Sequence, residues 1–163
     1  MIGNLQLHEI ATPVTGLAPI TPSTSTPDYV CLKNFQRVMV VILVDNATTV
    51  TGSAITLKQA TTVAAGGEKA IAFTRMWTNE DTAAGGTLTE TAVTSNTFTT
   101  DDTDAKNLIY VMEVDIADLD VKNGFDCVRA GTADATAAVL SVLYLLYPAR
   151  YGQTAGGPSA IVD

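Results

Sequence analysis

The stretch Val38-Met39-Val40-Val41-Ile42-Leu43-Val44 is seven consecutive apolar residues, five of them valine or isoleucine. Branching at Cβ restricts χ1 and suits a pleated strand better than a helix. A strand apolar at every position, rather than at every second one, is covered on both faces. The run Val139-Leu140-Ser141-Val142-Leu143-Tyr144-Leu145-Leu146 near the other end has the same character. A helix is the rival reading there, but its β-branched and aromatic content and Pro148 favour a strand. Two such strands imply a sheet with one face on the core and the other against a second chain.

Working outward, the neighbouring segments read as shorter strands separated by Gly- and Thr-rich turns. Leu5–Ile10 alternates and is expected as a strand. Tyr29–Leu32, Phe35–Val44 and Ala54–Ala60 follow, the last with Ile55 and Leu57 on one face. Ala70–Thr78 is expected to place Ile71, Phe73 and Trp77 on one core-facing side. The Thr-rich segment 87–99 reads as two short strands broken near Ser95-Asn96. Leu108–Ile116 alternates cleanly, Ala117–Asp120 reads as one helical turn, and Asn123-Gly124 is a turn signal ahead of a strand over Phe125–Gly131. About eight antiparallel strands and no long amphipathic helix give an all-β, jelly-roll-like sandwich, with barrel closure as the alternative.

Two segments fall outside this pattern. Residues 11–28 contain Pro13, Pro19, Pro22 and Pro27 among Thr and Ser, and proline removes a backbone donor and fixes φ. They are expected as an extended arm or long surface loop. Residues 148–163, with Gly152, Gly156, Gly157 and Pro158, are expected as a C-terminal arm. The whole chain, 1–163, reads as one domain flanked by these arms. Pro13, Pro19, Pro22, Tyr144, Tyr147 and Tyr151 are the expected interface residues, the tyrosines burying their rings and keeping their hydroxyls wet.

Composition argues against catalysis. The chain has a single histidine, His8, and only 16% charged residues, so acid–base or His-dependent nucleophilic chemistry has almost nothing to draw on. One His with two Cys about 96 residues apart falls short of a zinc site, and no cofactor or metal is expected. Cys31 and Cys127 read as buried thiols; a disulfide would need their Cα atoms within about 7 Å. The acidic run Asp101-Asp102-Thr103-Asp104 lacks the glycine and third oxygen ligand of an EF-hand, Lys106 and Asn107 standing in those places, and reads as a solvated turn. A net charge of −8 with scattered basic residues excludes nucleic acid and anionic membrane as expected partners. The first residues, Met1-Ile2-Gly3-Asn4-Leu5, carry neither a basic region nor an apolar core of a leader, which predicts synthesis in the cytoplasm.

Three segments carry a likeness. Leu7-His8-Glu9-Ile10-Ala11-Thr12-Pro13-Val14-Thr15-Gly16, Thr49-Val50-Thr51-Gly52-Ser53-Ala54-Ile55-Thr56-Leu57-Lys58 and Leu143-Tyr144-Leu145-Leu146-Tyr147-Pro148-Ala149-Arg150-Tyr151 resemble the cement, or decoration, proteins of tailed-bacteriophage capsids. The resemblance implies a jelly-roll-like sandwich, a homo-oligomer (dimer or trimer), and a place on the capsid exterior clamping neighbouring major capsid protein subunits. It carries over no residue-level site. The competing expectation is a tail or fibre adhesin whose aromatic residues, Trp77 among them, stack on host glycan.

Overall fold

The long central strands organise the molecule. The computed structural model describes residues 7–22, 26–150 and 159–161. Two antiparallel sheets face each other across one core. The first has the order β1 (Thr12–Ile20), β11 (Ala138–Ala149), β3 (Phe35–Asn46), β9 (Asn107–Asp115), β6 (Arg75–Asn79), β7 (Thr89–Ala92). The second runs β2 (Val30–Cys31), β10 (Cys127–Gly131), β4 (Ala54–Ala60), with β5 (Lys69–Ala70) and β8 (Thr97–Thr99) both pairing with β4. β5 and β8 take successive stretches of that one edge and together act as a single strand. Successive framework strands therefore cross between the sheets at every step except β4 to β5/β8, giving β1-β11-β3-β9 opposite β2-β10-β4-(β5/β8). That is the jelly-roll order, with the β6–β7 hairpin inserted and added beside β9.

Inward positions follow the period of two. Val38, Val40, Ile42 and Val44 of β3 lie in the core with Leu108, Tyr110, Met112 and Val114 of β9 and Leu140, Val142, Tyr144 and Leu146 of β11. Ile55 and Leu57 of β4 and Val128 and Ala130 of β10 close it from the other sheet. Two buried tyrosines satisfy their hydroxyls internally. Tyr110 accepts from Asp101 N at 2.7 Å; Tyr144 accepts from Ala130 N at 3.0 Å and donates to Asp28 O at 3.1 Å. Burial pushes both phenols well above the usual tyrosine range.

Several expectations are corrected. Leu7–Ile10 is a single helical turn, Ala11 N bonding to Leu7 O at 2.8 Å, and not a strand; His8 is exposed on it. Residues 12–20 of the expected arm form β1, paired from Thr12↔Leu146 to Ile20↔Leu140. The prolines are compatible because β1 is an edge strand, where a missing N–H faces outward and discourages pairing with another sheet. At the other end β11 runs through Pro148 to Ala149, and Ser159–Ile161 returns to the sandwich, where Ala160 is buried and its carbonyl accepts from Cys31 N at 2.7 Å. Neither end is simply an arm. The segment 70–78 is not one strand: β5 ends in the second sheet, Ile71 and Phe73 plug the core, and β6 begins in the first. Trp77 then points away from the core while Met76 and Thr78 point in.

The remaining turns are locally encoded. Asp115 ends β9 and caps one turn of 3-10 helix, Ile116–Asp118: its Oδ1 accepts from Ala117 N at 2.9 Å, and Asp118 Oδ2 accepts from Asp115 N at 3.1 Å. Gly124, at φ 83°, supplies the left-handed residue that ends the next turn, Val121–Asn123. Asp101 accepts from Thr103 N and Oγ1, so the acidic run is a self-bonded turn, as its residues suggest.

On the outside of the second sheet, Glu68 gathers the Tyr29 hydroxyl at 2.7 Å, Lys58 Nζ at 3.0 Å and Arg129 Nη2 at 2.6 Å. The Tyr29 hydrogen bond, then that of Lys58, holds its carboxyl below the ordinary 4.5. A carboxyl with a depressed folded-state pKa adds stability above its unfolded pKa, and that stability is lost as pH falls through the folded value. Glu68→Gln is therefore expected to lower Tm at pH 7 and to narrow the loss seen by wild type on acidification to about pH 3. Because the group is solvent-screened, the difference should not exceed about 3 °C. Equal acid sensitivity of the two proteins in thermal melts would contradict this.

Candidate functional site

The same strands that build the core present a second apolar face. Odd positions of β3 and their cross-strand partners point away from the sandwich. One row runs Thr15, Leu143, Val41, Val111, Trp77; the next runs Ser141, Leu43, Ile109, Asn79; and another joins Pro13, Leu145, Met39 and Glu113. Leu43 is 46% exposed and Val139 40% exposed, and Met39, Val41, Ile109, Leu143 and Leu145 are half-buried by one another. Among the described residues no element is layered over this face. From strand geometry, its apolar centre measures about 13 Å along β3 and about 14 Å across four strands.

Polar rows close the face at both ends. At one end Arg37 sits beside Asp115 and Tyr147. Its guanidinium is 3.2 Å from Asp115 Oδ2 and 3.7 Å from Glu113 Oε2. The Tyr147 hydroxyl donates to Glu113 Oε1. Burial, and then this bond to a carboxylate, pushes the Tyr147 phenol up to about 12. A cleft of about 390 Å³ opens here, because β6 leaves β9 after Trp77↔Val111 while β9 runs on to Asp115. Arg75, Trp77, Glu113, Asp115 and Asp118 line it, with the Arg75 guanidinium 5.8 Å from the Trp77 ring. At the opposite end a shallow groove of about 380 Å³ is lined by Pro19, Leu43, Ile109 and Val139.

The expected interface residues divide. Pro13 is exposed at the β1 edge of the face and Pro19 lines the groove, so both belong to it. Pro22 is buried. Tyr144 is 0% exposed and is a core pillar, because the strand period turns it inward; its hydroxyl is dry, not wet. Tyr147 is half-buried in the charged rim. Tyr151 lies outside the described residues. The signal missed for Leu43, Val139, Leu143 and Leu145 was present in the two continuous apolar runs, and that for Ile109 in the alternation of 108–116, but only the pairing register shows that they share one side.

The described residues thus form an antiparallel jelly-roll sandwich with an apolar outer face on its six-stranded sheet. No family model matches the chain, and no curated protein matches it. The crystal structure of SPBc2 prophage-derived protein YomS aligns with it at a TM-score of 0.48 and 17% identity, over 83% of this chain and 92% of that one.

Proposed function

We propose that this protein is a structural, non-enzymatic virion component that self-associates through the outer face of its six-stranded sheet and clamps major capsid protein subunits from the capsid exterior. The observation that carries the reading is the apolar outer face of β11, β3 and β9, with Leu43 and Val139 at its most exposed end. Its occupant is a second copy. Interfaces covered permanently from synthesis resemble a core cut in half, whereas those exposed until a late partner arrives are more polar. With its end rows included, the face runs about 27 Å along β3, from Arg37 to Asp45. Two such faces stacked as sheets about 10 Å apart would make an isologous interface.

The capsid assignment draws on the sequence resemblance. A symmetric oligomer engages several lattice subunits at once and gains avidity from weak individual contacts. The test combines two measurements. Light scattering on the purified chain should give a dimer. Added to particles lacking it, the chain should bind in stoichiometric amounts and raise the temperature at which they burst. A monomer at high concentration would remove the interface; absence from mature virions would remove the capsid role.

A glycan-binding adhesin is the second reading, favoured by one observation: Trp77 is only half-buried and borders a cleft lined with carboxylates and guanidinium groups. Sugar rings stack on such indoles while charged groups take the hydroxyls. On this reading Trp77→Ala abolishes binding on a broad glycan array with Tm nearly unchanged. An array that is blank for the wild-type chain disposes of it.

A further inference from the structure

Cys31 and Cys127, distant in sequence, stand directly opposite each other where β2 pairs with β10. Leu32 N bonds to Asp126 O at 2.7 Å on one side of the pair, while Cys31 N turns away to Ala160 O at 2.7 Å. The cysteines thus occupy a non-hydrogen-bonded cross-strand position. There the Cα atoms approach to about 4.5 Å, inside the window a disulfide spans. Both thiols are buried, 2% and 0% exposed, in a small cluster with Tyr29 and Ala60, roofed by Val63 and Ala65. The two sulfurs and the Asp126 carboxylate lie within 4.8 Å of one another.

The surroundings of the two sulfurs differ. Cys31 Sγ accepts the Lys33 backbone N–H at 3.5 Å, a contact that favours a thiolate. Cys127 Sγ donates to Asp126 Oδ1 at 3.4 Å, and its hydrogen bond with Cys31, then burial, push that thiol far up. The Lys33 N–H directed at Cys31 Sγ and the Asp126 carboxylate beside Cys127 Sγ make Cys31 the nucleophile and Cys127 the resolving group.

We infer that Cys31 and Cys127 form a cross-strand redox site, thiols in the state described and closing to a disulfide with a small peroxide as oxidant. The Cys31 thiolate attacks one peroxide oxygen, breaking the O–O bond; the departing hydroxide leaves as water after taking up a proton, and Cys31 becomes a sulfenic acid. Cys127 sulfur then attacks Cys31 sulfur, forming S–S and releasing a second water with the Cys127 proton. Two electrons pass from the two sulfurs to the peroxide. A small oxidant is required because the roof over the thiols excludes larger disulfides. The bond would close a loop of about 96 residues and tie β2 to β10 beside the returning Ser159–Ile161 segment.

Hydrogen peroxide is added to the full-length reduced chain and quenched by alkylation. The expected product is two hydrogens lighter, takes no alkyl group, and yields a Cys31–Cys127 cross-linked peptide. Its Tm should rise by on the order of 10 °C and fall back with reductant. Asp126→Asn removes the charge that suppresses the Cys127 thiolate, so the mass change should come several-fold faster. Cys31→Ser should show neither the cross-link nor the Tm rise. Both cysteines remaining alkylatable, or overoxidation without pairing, would overturn the inference. So would one cobalt ion bound per chain with a thiolate charge-transfer band, which would assign the three donor atoms to a metal instead.

Discussion

Gly16→Ala is expected to destabilise the protein by about 3 kcal/mol, a fall in Tm of roughly 10 °C, although alanine is the smallest change available. A Cβ on Gly16 would lie 2.2 Å from Tyr144 Cε2 and 2.9 Å from Cζ. The register between β1 and β11 shifts between Thr15 and Leu17, and Gly16 occupies that irregularity, its carbonyl accepting from Asp28 N at 2.8 Å. The ring cannot give way cheaply. Its hydroxyl is held by Ala130 N of the opposite sheet and by Asp28 O, so moving it leaves a buried N–H unpaired. A double-mutant cycle isolates the cause. Tyr144→Leu alone is costly, through lost packing and hydrogen bonds, but in that background Gly16→Ala should cost less than about 1 kcal/mol. If Gly16→Ala unfolds within 0.5 kcal/mol of wild type by urea denaturation, the close approach is not limiting.

Leu43→Lys combined with Val139→Lys is expected to weaken self-association at least about 100-fold, close to 2.7 kcal/mol, while leaving the fold of each copy intact. Both side chains are among the most exposed large apolar groups in the molecule, and they sit on neighbouring strands of the outer face. Placing ammonium groups there sets like charges against each other in an isologous interface and strands them in apolar surroundings. Lysine is chosen because it reduces the net charge of −8. Loss of association then cannot be assigned to added acidity. Sedimentation velocity over a concentration series reads the shift to monomer, and circular dichroism checks the fold. Unchanged association would place any oligomer contact elsewhere.

Tyr144 was legible as an important aromatic in the sequence, but its place was not. In a strand apolar at nearly every position, the pattern of two gives no phase, so the expectation that Tyr144 faces an interface had no register behind it. Pairing with β3, Leu143↔Val41 and Tyr144↔Val40, fixes the phase, because Val40 is buried in the core. Leu108–Ile116 shows the opposite case: Glu113 and Asp115 mark one side as outward, and the inward set Leu108, Tyr110, Met112 and Val114 was legible at once. The proline-rich segment misled for a comparable reason. Proline argues against a central strand, yet an edge strand needs only one of its two sides for hydrogen bonding.

The sequence by itself determined that this is a β protein with turns at Gly, Thr and Asn, two strands apolar throughout, and little equipment for acid–base chemistry. Those are local properties, set by Cβ branching, hydrophobic period and residue chemistry. Only the tertiary structure decided which strands are neighbours. It brought Cys31 opposite Cys127, seated Gly16 against the Tyr144 ring, and gathered Leu43, Ile109 and Val139 from three strands onto one outer face. The physical reason is that β pairing is non-local. Hydrogen bonds between distant strands set register, register sets the side to which each residue points, and no window of consecutive residues contains that information.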